Sequence, residues 1–313
     1  MPKHQPSDRP KTPIQLEVTT LVSAQGDLQT LAITLSQPKQ LIRASDIASL
    51  TLPPQLDLSR EVVLFGQAPT WLYGRLVHLC HKAPWIACYN APARQSIVVH
   101  SRVAQPTVGD AISVQLNRQP CPAILIGGPP NSGKSVFSNA LRKALLQSSP
   151  NRRLFLYRAS WDGEGNWAYE SPDDELVDRL VQRNEYRIHE HPETRPLIPD
   201  FFKYHARAVE NLRSLTDIVL VDVGGMPQPE KQPLLEQCTH YIIISRLASA
   251  IEVWHQFCQP LLNPVGVIHS VLERRVEVLK AQPFLEMVAG PWVEGDSAQV
   301  SESMVNAVLE LEN

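Results

Sequence analysis

The fold of the larger part of this chain is decided by the stretch Gly128-Pro-Pro-Asn-Ser-Gly133-Lys134-Ser135. It fits the pattern Gly-x-x-x-x-Gly-Lys-Ser of the phosphate-binding P-loop, which requires a strand before it and a helix after it. Residues 123–126 have the composition of a buried strand, and residues 136–146 that of a helix. Backbone N–H groups and the positive end of the helix dipole would then face phosphate oxygens. The stretch therefore predicts a nucleotide site.

Other residues of the predicted site follow from the same chemistry. Lys134 would reach the β- and γ-phosphates, and Ser135 would hold Mg²⁺. The apolar run over residues 217–222 ends in Asp222, the Walker B pattern, so Asp222 is the second predicted Mg²⁺ residue. Gly225 follows it, where a backbone N–H can approach the γ-phosphate. The predicted ATP-binding set is Gly128, Asn131, Ser132, Gly133, Lys134, Ser135, Asp162, Glu164, Asp222 and Gly225.

Asp162 and Glu164 enter that set because a predicted strand over residues 153–158 runs into Asp162-Gly-Glu164-Gly. Open α/β sheets bind ligands at the carboxyl ends of their strands. Asp162 could reach Mg²⁺ through water, and Glu164 could orient an attacking water or hydroxyl. The alternative is a solvated turn shaped by its glycines. A capped helix is predicted over residues 171–185, and a loop over residues 187–199.

Composition is that of a globular protein, with 313 residues, enough for two domains, and 43% hydrophobic residues. No apolar run reaches the roughly 18 residues of a membrane helix, so no membrane contact and a cytoplasmic location are expected. Residues 1–13 are polar and proline-rich, which predicts a disordered tail. The five cysteines form no Cys-x-x-Cys pair, which favours buried free thiols over a metal or redox site.

Charge is unevenly distributed along the chain. Residues 1–120 hold 11 Lys and Arg against 7 Asp and Glu, whereas the whole chain has a net charge of −3. A mildly basic N-terminal part suits a polyanionic ligand. An ordinary solvated surface explains it equally well.

The order of predicted elements indicates an α/β fold in two parts. Residues 14–117 predict a small mixed α/β domain, with a hairpin around residues 25–27 and a helix with apolar residues at 72, 76 and 79. Residues 118–122 predict a linker. Residues 123–313 predict a P-loop NTPase domain with a mainly parallel sheet, since strands alternate with helices. Its last helix, residues 302–311, would be capped by Ser301.

Residues 62–110 contain Val62-Val-Leu-Phe-Gly-Gln-Ala-Pro-Thr-Trp-Leu72, then His78, His81 and Pro84, then Ala87-Cys-Tyr89, and finally Gly109-Asp110. These residues give this part of the chain a resemblance to the Csx-three family, small CRISPR-associated ring nucleases of type III systems. It implies binding of cyclic tetra-adenylate between stacked dimers, and therefore a homo-oligomer. It also implies cleavage of that ring, with stimulation by Mn²⁺. In some relatives this domain is joined to a P-loop domain.

The resemblance also implies site residues. The family's helix histidine falls on His81, and His78 has a counterpart. The family's loop Asp-Pro-Arg-x-Gly corresponds here to residues 90–94, so Asn90 replaces the aspartate and the arginine is displaced to Arg94. The family's later histidine is replaced by Arg102 or shifted to His100. Cleaving a ring phosphodiester requires an aligned nucleophile and neutralised charge, for which these residue types are suited. The predicted catalytic set is His78, His81, Asn90, Arg94, His100 and Arg102.

Three functions are compatible with these patterns. The first is a ring nuclease acting on cyclic tetra-adenylate, coupled to a domain that binds ATP and Mg²⁺. The second is a sink or sensor that binds the ring without cleaving it, which the missing aspartate favours. The third is a P-loop kinase acting on a small molecule or nucleic acid, which Asp162, Glu164 and the Asp-x-Gly-Gly segment would suit.

Overall fold

The structure, a computed structural model, describes residues 14–35, 44–116, 118–159, 192, 195–293 and 297–311. The predictions of a tail over residues 1–13, of site roles for Asp162 and Glu164, and of a helix over residues 171–185 lie outside the described residues.

The N-terminal domain contains a six-stranded sheet that closes on itself. Its strands are β1 (Ile14–Ser23), β2 (Gly26–Leu35), β3 (Val62–Gly66), β4 (Trp85–Asn90), β5 (Gln95–Ser101) and β6 (Ala111–Gln115). β3 is parallel to β2 and β4, and the other pairs are antiparallel. The prediction of a small mixed α/β domain is confirmed. Closure, which comes from β1 pairing with β6, was not predicted. The hairpin turn falls on residues 24–25, earlier than predicted, because Ser23 pairs with Gly26.

A single α-helix, α1 (Thr70–Leu79), is described in this domain, after a short 3₁₀ turn at Ala44–Ile47. Leu72 and Leu76 of α1 are fully buried in a cluster with Val62, Leu64 and Ile86. Burying such side chains stabilises the domain by about 1.5–3 kcal/mol each. This packing leaves the opposite face of α1 toward solvent.

The second domain is built on a seven-stranded, mainly parallel sheet, as predicted. Its strands are β7 (Ala123–Gly127), β8 (Leu154–Ala159), β9 (Ile218–Val223), β10 (His240–Ser245), β11 (Asn263–Ser270), β12 (Arg275–Lys280) and β13 (Leu285–Gly290). The strand order is β12-β13-β11-β10-β7-β9-β8, and only β12 runs antiparallel to its neighbour. β12 was missed by the sequence analysis because all six of its residues are exposed, so no buried face marks it.

Helices cover both faces of this sheet. They are α2 (Lys134–Ser148), α3 (Ile198–Arg213), α4 (Gln232–Leu235), α5 (Ala248–Cys258) and α6 (Glu302–Leu309). Ile124 and Ile126 of β7 pack in the cluster of α2 and α6, whereas Ala123 and Leu125 pack in that of α3 and α5. Successive strand residues point to opposite faces. The doubly wound arrangement therefore follows from a strand that is apolar at every position.

Helix ends agree only partly with the sequence pattern. The Ser301 side chain accepts a hydrogen bond from the Met304 N–H at 3.2 Å, which confirms the predicted cap of α6. The predicted loop over residues 187–199 is wrong at its end, because a 3₁₀ turn at Arg195–Leu197 leads into α3 at Ile198. Pro199 occupies the first turn of α3, where the missing N–H costs nothing.

The two domains are packed against each other at β8 and α3. The Phe65 and Phe155 rings are stacked with their centroids 6.1 Å apart. The Gln67 amide pairs with the backbone of Leu156, donating to its carbonyl and accepting from its N–H at 3.0 Å. β8 is the last strand in the order of the described sheet, and Gln67 pairs with the backbone of that strand.

A second contact joins α3 to the turn between β4 and β5. The buried Asn211 side chain donates to the Ala91 carbonyl at 2.7 Å and accepts from Arg94 Nε at 2.8 Å. Residues 118–122 lie between β6 and β7, and their role as a linker between two domains stays a prediction. Cys121 among them is buried and donates its N–H to the Arg213 carbonyl at 2.8 Å.

All five cysteines are free thiols; Cys88 is half-buried and the other four are buried, in agreement with the expectation from their spacing. Within the described part of the chain, no helix has the length and apolar character needed to cross a membrane.

Replacing Gln67 by Ala should weaken the packing of the two domains. The change removes both hydrogen bonds to Leu156, which costs about 1–3 kcal/mol. We expect a lower melting temperature in calorimetry. Gln115→Ala, an exposed glutamine at the end of β6, is the matched control. Equal melting temperatures for Gln67→Ala and the control would contradict this role.

The stability of the protein should fall in acid because of His205. The ring packs 4.1 Å from that of Phe201, and Nδ1 accepts from the Tyr157 hydroxyl at 2.7 Å. Burial lowers the pKa of His205 from 6.5 to about 4. Between these values the unfolded chain binds a proton that the folded chain does not, so stability present at pH 7 is lost as the pH falls toward 4.

The loss expected from His205 is roughly 2–3 kcal/mol between pH 7 and pH 4. Denaturant unfolding at a series of pH values measures it, and His205→Phe should flatten the profile. An equally steep acid loss in His205→Phe would assign the effect to other groups.

Candidate functional site

The loop over residues 128–133 has a backbone that only its own glycines allow. A Cβ on Gly128 would lie 2.2 Å from the Ile244 carbonyl oxygen. Gly133 has φ +82°, and a Cβ there would lie 2.4 Å from Trp292 Cβ. Asn131 also has a positive φ of 59°, a conformation in which asparagine is enriched. The loop is therefore a fixed turn between β7 and α2. Within it the Ser132 N–H donates to the Pro129 carbonyl at 3.3 Å.

The residues that follow the loop begin α2. Gly133 is the N-cap, and because it has no side chain, the first-turn N–H groups are left to a ligand. Lys134 is 8% exposed, and its Nζ donates to the Pro129 carbonyl at 3.4 Å, so the ammonium group lies over the loop. Ser135 is half-buried in the first turn. The buried Ser132 hydroxyl has no hydrogen-bond partner among the described residues.

The strand register places Asp222 beside the P-loop. Asp222 in β9 pairs with Ile126 in β7, directly before the loop, and with Arg158 in β8. It is 1% exposed, and its Oδ2 lies 3.6 Å from Arg158 Nε. Its Oδ1 has no partner within the described ranges. A buried carboxylate oxygen without a partner beside a glycine-shaped loop fits the coordination sphere of a nucleotide-bound Mg²⁺.

Lys231 was missed by the sequence analysis. It ends a 3₁₀ turn at Pro229–Lys231, is fully buried, and donates to the Met226 carbonyl. A Cβ on Gly225, which has φ +74°, would lie 3.4 Å from its Nζ. Burial, with a smaller contribution from the nearby Lys134, lowers the pKa of Lys231 to about 8, although the adjacent Glu230 acts in the opposite direction. The residues around Lys231 in the sequence are polar or proline, so the sequence pattern did not indicate that this lysine is buried.

In the N-terminal domain, His78 and His81 lie together at the end of α1. Both are exposed, and their rings are stacked with centroids 5.8 Å apart. His81 Nδ1 lies 2.8 Å from the His78 carbonyl oxygen. Because a carbonyl only accepts, Nδ1 carries the proton, which leaves the Nε2 lone pair of a neutral His81 available. In this tautomer, Nε2 of His81 can accept a proton or a hydrogen bond.

Arg102 lies beside these histidines. Its NH1 donates to the Lys82 carbonyl at 3.0 Å, and Lys82 directly follows His81. His100 precedes it on β5 and is half-buried, with an Nε2 that has no partner among the residues described. The structure thus brings Arg102 to the segment that carries His81.

Asn90 and Arg94 lie at the other end of the same hairpin. Asn90 pairs with Gln95 at the turn, whereas Trp85 pairs with Ser101 at the histidine end. Five residue steps of about 3.3 Å separate the two ends by roughly 17 Å. Arg94 has φ 53°, and its guanidinium contacts Asn211 of the second domain. Within one chain, therefore, the structure does not bring Asn90 and Arg94 together with His81.

Strand order, loop geometry and register define the second domain as a P-loop nucleotide-binding α/β domain. The N-terminal domain is identified by sequence: residues 35–113 match the family described as CRISPR-associated protein (Cas_csx3). The resemblance stated above is confirmed for this segment, which runs from the end of β2 into β6. The chain thus joins a Csx-three domain to a P-loop domain.

Several solved structures are similar in fold to this chain. A plasmid partition protein from Borrelia burgdorferi B31 bound to AMPPNP has 13% identity and a TM-score of 0.41, covering 61% of this chain and 98% of that one. A ParA family ATPase from Chlorobium tepidum TLS has 13% identity and a TM-score of 0.38, covering 63% and 100%. The septum site-determining protein MinD from Pyrococcus horikoshii OT3, complexed with Mg-ADP, has 14% identity and a TM-score of 0.34, covering 48% and 70%. No curated protein matches the sequence.

Lys134→Ala should abolish tight nucleotide binding. The change removes the ammonium group that lies over the loop, and a charge-assisted contact to phosphate contributes about 1.5–3 kcal/mol, or roughly 10- to 150-fold in affinity. Titration calorimetry with ATP and Mg²⁺ measures the change. Lys143→Ala, farther along α2, is the matched control. Wild-type affinity in Lys134→Ala would rule out the loop as the phosphate site.

Proposed function

We propose that this protein is a ring nuclease that binds and cleaves cyclic tetra-adenylate in type III CRISPR defence, coupled to ATP binding by its P-loop domain. The observation that carries the proposal is the Cas_csx3 match over residues 35–113, which include His78, His81 and Arg102. The resemblance supplies the substrate, and the geometry of these residues supports the chemistry.

Two groups near the end of α1 carry the proposed chemistry: His81 as a base and Arg102 as a cation. His81 Nε2 takes the proton from a ribose 2′-hydroxyl or a water, whose oxygen attacks phosphorus while the bond to the next ribose oxygen breaks. Arg102, held at the Lys82 carbonyl, neutralises the charge that develops on the phosphate oxygens. His78 stacks on His81 and orients it. His100 is the further histidine available at this end.

Asn90 and Arg94 take part from another copy of the chain. They lie roughly 17 Å from the histidine end along the hairpin, so one phosphate can meet both ends only between stacked copies. Arg94 keeps 45% of its side chain exposed beside Glu210, which leaves it accessible to a ligand. The proposed chemistry therefore requires the homo-oligomer that the resemblance implies, because one copy of the chain does not bring both groups of residues to one phosphate. The proposal also includes stimulation of the cleavage by Mn²⁺, which the resemblance implies.

The P-loop domain binds ATP with Mg²⁺ and hydrolyses it. Lys134 would contact the β- and γ-phosphates, Ser135 and Asp222 would hold Mg²⁺, and the Gly225 N–H would approach the γ-phosphate. Mg²⁺, when bound, would supply positive charge to the phosphate groups. The structure supports coupling through β8, because Arg158 on that strand lies 3.6 Å from Asp222 and Leu156 on it is bound by Gln67. Gln67 lies between β3 and α1, and His81 follows two residues after the end of that helix.

Binding without cleavage is the second candidate. Asn90 stands where the resemblance expects an aspartate, and an amide cannot act as the carboxylate would. A sink or sensor would bind the ring through His78, His81 and Arg102 and release it intact. The kinase alternative depends on Asp162 and Glu164, which lie outside the described residues.

Cleavage is tested by incubating the protein with cyclic tetra-adenylate and Mn²⁺, with and without ATP, and separating products by chromatography. We expect linear di-adenylate products, and a loss of at least about 100-fold in rate for His81→Ala, since a positioned base contributes roughly 10²–10⁴. His269→Ala, a histidine of the second domain paired with Glu286, is the matched control and should cleave normally.

The other outcomes separate the candidates. Tight ring binding without products from the wild-type protein would favour the sink or sensor. Neither binding nor cleavage would contradict the proposal. Cleavage that is the same in Lys134→Ala, with and without ATP, would reject the coupling while keeping the nuclease.

A further inference from the structure

We propose that Lys231 is a second phosphate-binding residue of the P-loop site and contacts the terminal phosphate of a bound nucleoside triphosphate. The inference rests on nucleotide binding at the P-loop and is independent of ring cleavage. Lys231 lies in the segment between β9, which ends beside Asp222, and α4. Nothing in the P-loop pattern assigns a role to this segment beyond Gly225.

The first step is the burial of Lys231. The residue is 0% exposed, and a buried ammonium group is destabilising by several kcal/mol unless it is paired. Its ammonium group donates a hydrogen bond to the Met226 carbonyl and faces the rings of Phe202 and Trp254, whose centroids lie 5.9 and 5.7 Å from Nζ. Ring faces attract a cation but do not neutralise it. Within the described residues, no carboxylate forms an ion pair with Lys231.

The second step is the position of this ammonium group. The Trp254 ring that Lys231 faces also packs on Gly127, where a Cβ would lie 2.7 Å from the ring. Gly127 is the last residue of β7, directly before the P-loop. A Cβ on Gly225 would lie 3.4 Å from Lys231 Nζ. Lys231 is therefore placed between the P-loop strand and the glycine predicted to approach the γ-phosphate.

The third step is the proximity of two positively charged side chains, Lys134 and Lys231. Burial has the largest effect on the pKa of Lys231 and lowers it; Lys134 lies close enough to lower it as well, whereas the adjacent Glu230 has a smaller, opposite effect. Two ammonium groups placed together inside a fold repel each other, and an anion between them reverses the sign of that interaction. A triphosphate supplies that anion. Lys134 comes from the P-loop side and Lys231 from the Gly225 side, so Lys231 meets the terminal phosphate.

This geometry predicts a preference between nucleotides. A residue that contacts the terminal phosphate adds affinity for a triphosphate and none for a diphosphate. Lys134, which lies over the loop, should affect both. The ratio of the two affinities therefore distinguishes phosphate contact by Lys231 from a purely structural role in the core, which would alter both affinities equally.

The experiment compares Lys231→Met with the wild-type protein, measuring the Kd of AMPPNP and of ADP with Mg²⁺ by calorimetry. Met keeps the length and apolar stem of lysine without the charge. We expect at least about a 10-fold loss of AMPPNP affinity, typical of one lost charge-assisted contact, and an ADP affinity within about two-fold of wild type. Lys203→Met, at an exposed lysine of α3, is the matched control.

Two results would overturn the inference: an unchanged AMPPNP affinity, or equal losses for AMPPNP and ADP. If Lys231→Met does not fold, Lys231→Gln, which can still donate to the Met226 carbonyl, is measured by the same ratio. If nucleotides do not bind at the P-loop, Lys134→Ala will keep wild-type affinity for both AMPPNP and ADP. That result would reject P-loop binding itself, and it is distinct from the two results that reject the role of Lys231. Loss of binding in Lys134→Ala with an unchanged ratio in both Lys231 variants would reject only the role of Lys231.

Discussion

Burial of charge at the carboxyl end of the second sheet is the constraint on which the nucleotide site depends. Asp222, Lys134 and Lys231 are 1%, 8% and 0% exposed. Such groups destabilise a fold unless opposite charges or hydrogen bonds compensate them, and Arg158 compensates Asp222 from the neighbouring strand. A triphosphate with Mg²⁺ would place charges of both signs among them. Ligand binding and stability of this domain are therefore linked, because a ligand that binds only the folded state stabilises it.

The last strand in the order of the same described sheet connects the two domains. β8 carries Arg158 toward the nucleotide site and offers Leu156 to Gln67 of the N-terminal domain. A side-chain amide provides one donor and one acceptor, and Gln67 uses both on the backbone of this strand. The contact thus ties the P-loop domain to the loop before α1. A displacement of β8 would therefore be transmitted first to that loop.

The N-terminal domain separates its predicted catalytic residues. His78, His81 and Arg102 lie at one end of the β4–β5 hairpin, and Asn90 and Arg94 at the other, where α3 packs. The length of two paired strands sets that distance. A ligand that needs both ends must therefore lie between copies of the chain, which makes assembly a condition of the proposed chemistry.

The sequence by itself determined the features that depend on residues close together in the chain. The P-loop between a buried strand and a helix, the Ser301 cap and the strand ending at Asp222 can each be read from a few neighbours, because side-chain period and backbone chemistry act locally. Only the tertiary structure decided the closure of the first sheet, the contact of Gln67 with Leu156, and the burial of Lys231. These features join segments far apart in sequence, and neither a partner strand nor the exposure of a lysine is encoded in the residue type alone.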